Sequence, residues 1–330
     1  MKYRPLVSVV IPFHNASNTL HRCLNSVIAQ TYRPLEVILV DDASSDNSYR
    51  IARCIADTNQ DPEIKFKLLH FTQNRGVAAA RNAALNTAKG EYLYSIDADD
   101  YVDAPAIADY VDASSYGKYD MIASGLIYEY PDKKSFPATY SQGYVLSLHT
   151  ARLDTLHFSL HTKLIRTSSL KECDPFAEGQ NCWEDLGAVV RVLSSGGSVK
   201  TLPTAYYHYI QTAKSITRNP SNPLQIPLQR IEVTRRLERW MIKKDLHKQY
   251  SDFLDLLKIF SKANLLRPST SFFRHPIRHL RLWSEIFPEV NHNIYTKVRV
   301  PRHYRVFLQI AHFISLICIR KQRKSNELNT

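Results

Sequence analysis

The feature that most constrains this chain is an alternation of short apolar runs with amphipathic stretches over residues 7–97. Runs such as Val7–Pro12 and Leu35–Asp41 are rich in β-branched residues, which is typical of strands, whereas Thr19–Gln30 spaces its apolar residues at helical intervals. The alternation continues to Tyr92–Asp97. Because the strand runs are almost wholly apolar, we expect helices to cover both faces of each strand. The pattern predicts an α/β fold with a mainly parallel sheet flanked by helices.

Acidic side chains follow two of the apolar runs, where the predicted strands end. Asp41 and Asp42 follow one run, and Asp97, Asp99 and Asp100 follow another. Ligands of open α/β sheets bind beyond the carboxyl ends of the strands, so we expect these carboxylates to share one crevice. Carboxylates this close together need a cation, and hard oxygen ligands suit Mg²⁺ or Mn²⁺ shared with substrate phosphates. For each cluster alone, the alternative is a polar turn that caps the next helix.

A third acidic pair, Glu184 and Asp185, directly precedes Leu186 and Val189, which begin an apolar pattern at helical spacing. The spacing predicts that a helix starts at the acidic pair. Capping is one interpretation, because acids in the first turn favour the helix dipole. The other is a partly desolvated general base, because Trp183 adjoins the pair.

Charge divides the chain unevenly. The net charge is +12 overall, but it is −4 in residues 1–130, +2 in residues 131–217 and +14 in residues 218–330. The Pro- and Asn-rich run Asn219–Pro223 interrupts periodic structure at this change of charge. We therefore predict a catalytic domain over residues 1–217 and a basic, helical C-terminal region over residues 218–330. The second half is otherwise expected to be helical, with one short strand pair at Val199–Leu202 and Ala205–Ile210.

The last apolar run, Val306–Ile319, has 14 residues and is followed by the basic cluster Arg320–Lys324. It is shorter than the roughly 20 residues that a bilayer-spanning helix needs. Two interpretations stay open: the run lies at an anionic membrane surface, or it packs on the catalytic domain. No nucleic-acid partner is expected, because no recognised nucleic-acid-binding motif accompanies the basic charge.

The five cysteines are scattered and form no Cys-x-x-Cys pair, so neither a disulfide framework nor a zinc site is indicated. The amino terminus has no signal-peptide pattern. We expect a cytoplasmic protein. Two roles stay open for the basic region: acceptor binding and peripheral association at the inner face of the cell membrane.

Taken together, these motifs resemble the family 2 glycosyltransferases of the GT-A fold, a Rossmann-like architecture, over residues 5–217. The resembling segments, in chain order, are Val7–Asn15, Ser26–Tyr32, Glu36–Asp46, Asn74–Gly76, Ala80–Ala83, Lys89–Tyr92, Asp97–Asp100, Lys163–Leu164, Phe176–Gly179, Trp183–Leu186, Tyr206–Tyr209 and Ser215–Thr217. Each segment alone is a weak signal. Their occurrence together and in order is specific.

The resemblance implies transfer of a sugar from a nucleotide-sugar, by analogy a UDP-sugar, to an acceptor hydroxyl with inversion at the anomeric carbon. It implies that Asp99, with Asp97 or Asp100, holds Mn²⁺ or Mg²⁺ against the diphosphate. Asp185 would be the base, and Glu184 would help to orient the acceptor or the base. The implied acceptor is a glycan or a lipid-linked oligosaccharide of cell-surface polysaccharide or lipopolysaccharide biosynthesis.

The resemblance also implies a set of contacts to the nucleotide-sugar. Asp42 would hydrogen-bond the nucleoside, with Asp41 alongside it in a structural role. Arg81 would approach the diphosphate or, alternatively, be an exposed structural arginine. The full set of implied contacts is Pro12, His14, Asn15, Asp41, Asp42, Asn74, Gly76, Arg81 and Asp97.

Two departures from the family pattern and two alternative functions accompany this interpretation. His14 stands where the family often has Tyr, and His161-Thr162 replaces the Trp-Asn that commonly precedes Lys-Leu.

One alternative function is that of a metal-dependent nucleotidyltransferase, which would attack the α-phosphate and release pyrophosphate. The chain has no Gly- and Lys-rich phosphate loop near Pro12 to hold a triphosphate for this reaction. The other is a non-catalytic glycan-binding module with the same fold.

Overall fold

A computed structural model describes most of the chain, in two compact units that lie within Met1–Ser215 and Ile216–Thr330. The described residues are 3–150, 153–177, 179–211, 224–266 and 275–291. The predicted apolar run Val306–Ile319 and the interrupting run Asn219–Pro223 lie outside them.

The first unit is built on one mixed β-sheet. Its described strands are Val7–Phe13 (β1), Leu35–Asp41 (β2), Ile64–His70 (β3), Tyr92–Ser95 (β4), Tyr101–Val102 (β5), Met121–Glu129 (β6), Phe136–Ala138 (β7), Lys163–Arg166 (β8) and Val199–Ile210 (β9). The strand order is β3-β2-β1-β4-β8-β6-β9-β5, and β7 pairs with β6.

Helices of the first unit connect these strands. They are Leu20–Ile28 (α1), Ser48–Thr58 (α2), Val77–Thr87 (α3), Ala106–Ala113 (α4), Thr155–Phe158 (α5), Thr167–Cys173 (α6) and Glu184–Ser194 (α7). All seven residues of β1 are buried, although successive side chains of a strand point to opposite faces. Both faces of the strand are therefore covered, as its apolar sequence predicts.

The amino-terminal half of the sheet confirms the predicted alternation. Strands β1 to β4 are parallel where they pair, and the register sets Phe13 beside Asp41 and Asp41 beside His70. This register brings the ends of three strands to one edge of the sheet. The loops that follow these strands consequently meet there.

The other half of the sheet differs from the prediction. The two expected short strands form one twelve-residue strand, β9, and the strands β6, β7 and β8 were not predicted. Strand β8 has only four residues, and β6 contains Gly125 where its pairing with β9 shifts register. Such short or irregular strands lack the sustained pattern from which strands are recognised in sequence.

The second unit is helical where it is described, as predicted. Its helices are Gln225–Lys243 (α8), Ser251–Ala263 (α9) and Pro276–Glu285 (α10), with short 3₁₀ helices at Asn264–Leu266 and Pro288–Asn291. A hydrophobic core forms around Trp283, which is fully buried. Across the described parts of both units, no helix combines the length and the apolar character that crossing a membrane requires.

Candidate active site

Asp42, the first residue after β2, fixes the start of helix α3. Its carboxylate is almost fully buried and accepts hydrogen bonds from the backbone N–H groups of Arg75 (2.7 Å) and Gly76 (2.8 Å). Gly76 has a φ of +85°, and a Cβ at this position would lie 2.2 Å from Asn181 Oδ1. Asn74 donates to the Asp42 carbonyl oxygen at 3.3 Å. Asp42, Asn74 and Gly76 thus form one connected loop structure at the edge of the sheet.

Asp41 is fully buried beside Asp42 and pairs with a histidine that the sequence analysis did not select. Its Oδ2 lies 2.8 Å from His70 Nδ1, and its Oδ1 accepts a hydrogen bond from the Ser44 backbone N–H at 3.0 Å. The His70 side chain is 47% exposed, and its ring packs edge-on against Tyr49. The sequence signal for His70 was its position at the end of the third parallel strand, next to two acidic strand ends.

The loop after β1 lies over Asp42. Pro12 is buried within the strand, whereas His14 and Asn15 are exposed. The His14 ring contacts the Asp42 carbonyl oxygen through Nδ1 at 2.8 Å. Asn15 adopts a left-handed backbone with φ 50°, and its Oδ1 accepts a hydrogen bond from the Ser45 N–H at 2.8 Å. Pro12, His14 and Asn15 therefore adjoin the loop that carries Asp41 and Asp42.

The three acids after β4 occupy different environments. Asp100 is fully buried, and its carboxylate accepts hydrogen bonds from the Tyr207 hydroxyl (2.6 Å) and the Ile210 N–H (2.8 Å). Burial and the charges of Asp99 and Asp97 raise the pKa of Asp100 to about 9. The Asp100 side chain is therefore held within the sheet by protein donors.

Asp99 and Asp97 are more open than Asp100. The Asp99 side chain reaches the surface, yet partial removal from water and the nearby Asp97 carboxylate raise its pKa to about 6. The Asp97 side chain is 31% exposed. No cluster of three or more metal-ligating side chains is preassembled among the residues that the structure describes. A metal here would depend on substrate oxygens for much of its coordination.

Arg81, on α3, joins the acid motif to the start of α7. Its side chain is 4% exposed, and its guanidinium bonds three carboxylates: Glu184 (2.6 Å), Asp185 (2.6 Å) and Asp97 (2.9 Å). Burial alone would lower the pKa of Arg81, but the charges of Asp185, Asp97 and Glu184 raise it further than burial lowers it. The interpretation of Arg81 as an exposed structural arginine is wrong. It is the centre of a buried ion cluster.

Glu184 and Asp185 form the first turn of α7, as predicted. Besides Arg81, Asp185 has a second partner, since its Oδ2 accepts a hydrogen bond from the Leu160 backbone N–H at 3.2 Å. The Asp185 side chain is 20% exposed and that of Glu184 is 12% exposed. Burial and the adjacent Asp185 charge raise the pKa of Glu184, while Arg81 opposes this rise. Asp185 is thus an oriented carboxylate with some access to solvent.

The family departure at His161 lies against the same cluster. The buried imidazole stacks on Tyr207 with ring centroids 4.2 Å apart, and its Nδ1 is 3.7 Å from Asp97 Oδ2. Within the described residues, neither ring nitrogen has a hydrogen-bond partner. Burial lowers the pKa of His161, which favours the neutral ring.

Comparison with known proteins decides the family. The model of "Glycosyl transferase family 2" matches residues 8–174, which is half of the chain. The chain belongs to glycosyl transferase family 2. This confirms the predicted family and enzyme class.

Relatives and solved structures agree with this family. The chain is 42% identical to the glycosyltransferase GlyG of Streptococcus pneumoniae over 97 residues, which are 29% of the chain and 31% of GlyG. It is 36% identical over 98 residues to WfaP of Escherichia coli, a "UDP-Glc:alpha-D-GlcNAc-diphosphoundecaprenol beta-1,3-glucosyltransferase", covering 29% of the chain and 36% of WfaP. The matched segment is therefore about a third of the length of these relatives.

Two solved structures share the fold at low sequence identity. S. aureus TarS in complex with UDP-GlcNAc superposes with a TM-score of 0.71 and 20% identity, covering 98% of this chain and 92% of that chain. The mannosyltransferase PcManGT of Pyrobaculum calidifontis, in complex with GDP-Man and Mn²⁺, has a TM-score of 0.54 and 18% identity, covering 96% and 87%. This family 2 glycosyltransferase therefore has the predicted GT-A fold.

Lys163 of this family 2 glycosyltransferase supports the loop that contacts Asp185. Its buried Nζ donates to the carbonyl oxygens of Leu156 (3.1 Å) and Ser159 (2.8 Å) and to Thr162 Oγ1 (2.9 Å). Burial lowers the pKa of Lys163 to about 7. In the charged form of Lys163 the three bonds use all three ammonium donors, and they hold the segment that presents the Leu160 N–H.

Lys163→Met is expected to lower kcat by roughly tenfold to a hundredfold while leaving nucleotide affinity unchanged, because a displaced Leu160 N–H changes the orientation of Asp185. Steady-state kinetics and a nucleotide titration of the same preparation measure the two quantities. Lys171→Met is the matched control, since Lys171 donates to the carbonyl oxygen of Ala88, just after the end of α3 and away from Leu160. Equal kcat for Lys163→Met and the wild type would show that the loop does not orient Asp185.

Proposed function

We propose that this glycosyltransferase transfers a sugar from a nucleotide-sugar, with UDP-sugars as the first candidates, to a hydroxyl of a glycan or lipid-linked acceptor with inversion at the anomeric carbon. The observation that carries the proposal is the Arg81 cluster. Through one guanidinium, Asp97 of the acid motif lies next to Glu184 and Asp185 of α7. A donor-side acid and a candidate base therefore adjoin one another, as a single-displacement transfer requires.

The substrates of similar proteins support this choice of donor and acceptor. TarS was solved with UDP-GlcNAc, and WfaP is described as using UDP-Glc and a diphosphoundecaprenol-linked sugar. We infer by analogy a role in cell-surface polysaccharide biosynthesis. The net charge of +14 over residues 218–330 favours an anionic membrane surface as the place where a lipid-linked acceptor is met.

In the proposed mechanism Asp185 is the general base. Arg81 and the Leu160 N–H hold its two carboxylate oxygens from different sides, so the group is oriented before the acceptor arrives. It takes the proton of the acceptor hydroxyl as that oxygen attacks the anomeric carbon, and the nucleoside diphosphate leaves from the opposite face. Glu184 shares the Arg81 guanidinium and helps to fix the orientation of Asp185.

The residues fit a metal that is shared with substrate. Asp99 has a side chain at the surface, and Asp97 lies two residues before it, whereas both oxygens of Asp100 accept bonds from protein donors. We therefore propose Asp99 with Asp97 as the protein ligands, and this donor set suits Mn²⁺ or Mg²⁺. When bound, the ion supplies positive charge that stabilises the leaving diphosphate.

The nucleoside is proposed to bind where the loops after β1 and β2 meet. His14 and Asn15 are exposed there, and His70 presents a half-exposed ring on Asp41. Asp42 already accepts two backbone hydrogen bonds, so it contributes through its remaining lone pairs and by holding the loop in shape. The proposed nucleoside contacts are thus His14, Asn15, Asp42 and His70.

Calorimetric titration with UDP, GDP and CMP, each with and without Mn²⁺, tests this function. We expect one of the three nucleotides, UDP, to bind tightly, and we expect this binding to require Mn²⁺. Anomeric analysis of the product by NMR then tests inversion. No binding of any nucleotide would contradict the proposed donor class and favour a non-catalytic glycan-binding module.

Asp99→Asn is expected to lower UDP affinity in the presence of Mn²⁺ by at least about tenfold, because a neutral amide is a poor ligand for a hard cation. The same titration without metal should give equal affinities for variant and wild type. Asp132→Asn, at an exposed position of the same unit, is the matched control. If Mn²⁺ does not alter the UDP affinity of the wild type, the metal site is absent.

A further inference from the structure

Three aromatic side chains stand side by side across three neighbouring strands of the first unit. Phe136 of β7 is paired with Tyr128 of β6, and Tyr128 is in turn paired with Tyr209 of β9. Their ring centroids are 5.1 Å and 5.8 Å apart in that order. Paired residues of adjacent strands lie on one face of a sheet, so these rings form a continuous row. We name Phe136, Tyr128 and Tyr209 the aromatic strip.

The inner end of the aromatic strip reaches the candidate active site. The Tyr209 ring lies 5.5 Å from the ring of His161 at an interplanar angle of 25°. His161 in turn has its Nδ1 3.7 Å from Asp97 Oδ2. The strip is therefore continuous with the acid cluster that contains Asp97 and Asp185.

The outer end of the aromatic strip is accessible. Phe136 is 46% exposed. Its ring stacks on Tyr130 with centroids 5.9 Å apart, and Lys133 Nζ lies 3.8 Å from the centre of the Tyr130 ring. The strip therefore runs from solvent, past hydroxyl and ammonium groups, to the reacting centre.

The strand that carries Phe136 is held by close backbone packing. A Cβ at Gly125 of β6 would lie 2.4 Å from the carbonyl oxygen of Ala138. Only a glycine permits this approach, so the backbones of β6 and β7 are in direct contact. The position of Phe136 is thus set by the sheet, and the aromatic strip is a preformed surface.

We propose that the aromatic strip binds the sugar rings of the acceptor glycan that precede the reacting hydroxyl. This inference rests on the proposed function. Pyranose rings present C–H groups on their faces, and the negative face of an aromatic ring attracts such polarised hydrogens. Tyrosine and phenylalanine also supply rigid contact area at low cost in conformational entropy.

The chemistry of the strip favours an oligosaccharide over the lipid part of an acceptor. Tyr128, Tyr209 and Tyr130 each carry a hydroxyl group, and Lys133 adds a charge at the outer end. Sugars match such a surface because each ring combines apolar faces with polar edges. A polyprenyl chain has no polar groups to match these hydroxyl and ammonium groups.

Phe136→Ala in the full chain tests the inference. Cellotriose, maltotriose and chitotriose, with the matching monosaccharides, are the probes for binding by saturation-transfer NMR in the presence of UDP and Mn²⁺. We expect at least one trisaccharide to bind the wild type and to lose roughly threefold to tenfold in affinity in Phe136→Ala. Phe136→Trp should retain the affinity, and the weak binding of monosaccharides should not change.

Tyr116→Ala is the matched control, because Tyr116 is 78% exposed and packs against Tyr3 outside the strip. The inference is overturned if no trisaccharide binds the wild type, or if Phe136→Ala and Tyr116→Ala bind trisaccharides equally well. It is also overturned if undecaprenyl phosphate in micelles displaces the trisaccharide, or if Phe136→Ala abolishes a dimer, since the strip then binds lipid or a second copy. UDP titration of each variant separates these outcomes from failure of the proposed function, which would remove UDP binding from the wild type.

Discussion

Asp185→Asn is expected to reduce sugar transfer by about 100-fold or more while UDP binding stays within about twofold of the wild type. The amide keeps the shape of the side chain but has no affinity for the acceptor's proton. Arg81 retains Glu184 and Asp97 as charged partners, so the variant is expected to fold. The loss should fall on kcat, because in the proposed mechanism Asp185 acts on the acceptor hydroxyl during the displacement and does not contact the nucleotide.

Initial rates of nucleoside diphosphate release with acceptor, together with a UDP titration, measure this effect. Glu184→Gln is the informative comparison, because Glu184 shares Arg81 but has no bond to the Leu160 N–H. We expect the Gln variant to lose less activity than Asp185→Asn. Wild-type turnover in Asp185→Asn would remove this residue as the base, and a greater loss in Glu184→Gln would assign the base to Glu184.

Arg81→Met is expected to destabilise the first unit by about 3–5 kcal/mol or to prevent its folding. The substitution leaves three neighbouring carboxylates without a cation in a largely buried place. Arg53→Met is the matched control, because the pair of Arg53 with Asp57 is exposed and spans 3.5 Å. Loss of such a pair costs at most about 0.5 kcal/mol.

Arg81→Lys keeps the prediction testable if the Met variant does not fold. A lysine restores the charge, but a single ammonium on a flexible stem cannot reproduce the planar geometry that bonds all three carboxylates. We expect a folded protein with reduced kcat and near-normal UDP affinity. Urea unfolding and steady-state kinetics measure both properties. If Arg81→Met and the wild type have equal free energies of unfolding, the cluster does not hold the acid motif and the start of α7 together.

The parts of the fold that sequence predicted are those built from local patterns. Strands β1 and β2 are apolar runs and helices α1 and α2 are amphipathic, and the acidic residues lie at or just after the ends of β2 and β4. Strand β8 was not predicted because its four residues owe their structure to pairing with β4 and β6, which are distant in the chain. The same reason explains why two expected strands are the single strand β9.

The candidate site shows a similar division. Two strand ends, a helix start and the family resemblance predict that Asp42, Asp97 and Asp185 belong to one region. The sequence does not predict the link through Arg81, because this link joins residues more than a hundred positions apart. Nor could sequence separate Asp99, which reaches the surface, from Asp100, which the Tyr207 hydroxyl holds inside the sheet. These distinctions depend on side-chain packing between distant elements.

Phosphorus NMR of a reaction that contains the full chain, Mn²⁺, pyrophosphate and either UDP-Glc or UDP-GlcNAc tests the central claim most directly. A glycosyltransferase breaks the bond between the sugar and the β-phosphate, so we predict that UDP forms slowly by donor hydrolysis and faster when an acceptor is added. Appearance of UTP and a sugar phosphate without UDP would contradict the account, since that outcome requires attack at the α-phosphate by a nucleotidyltransferase.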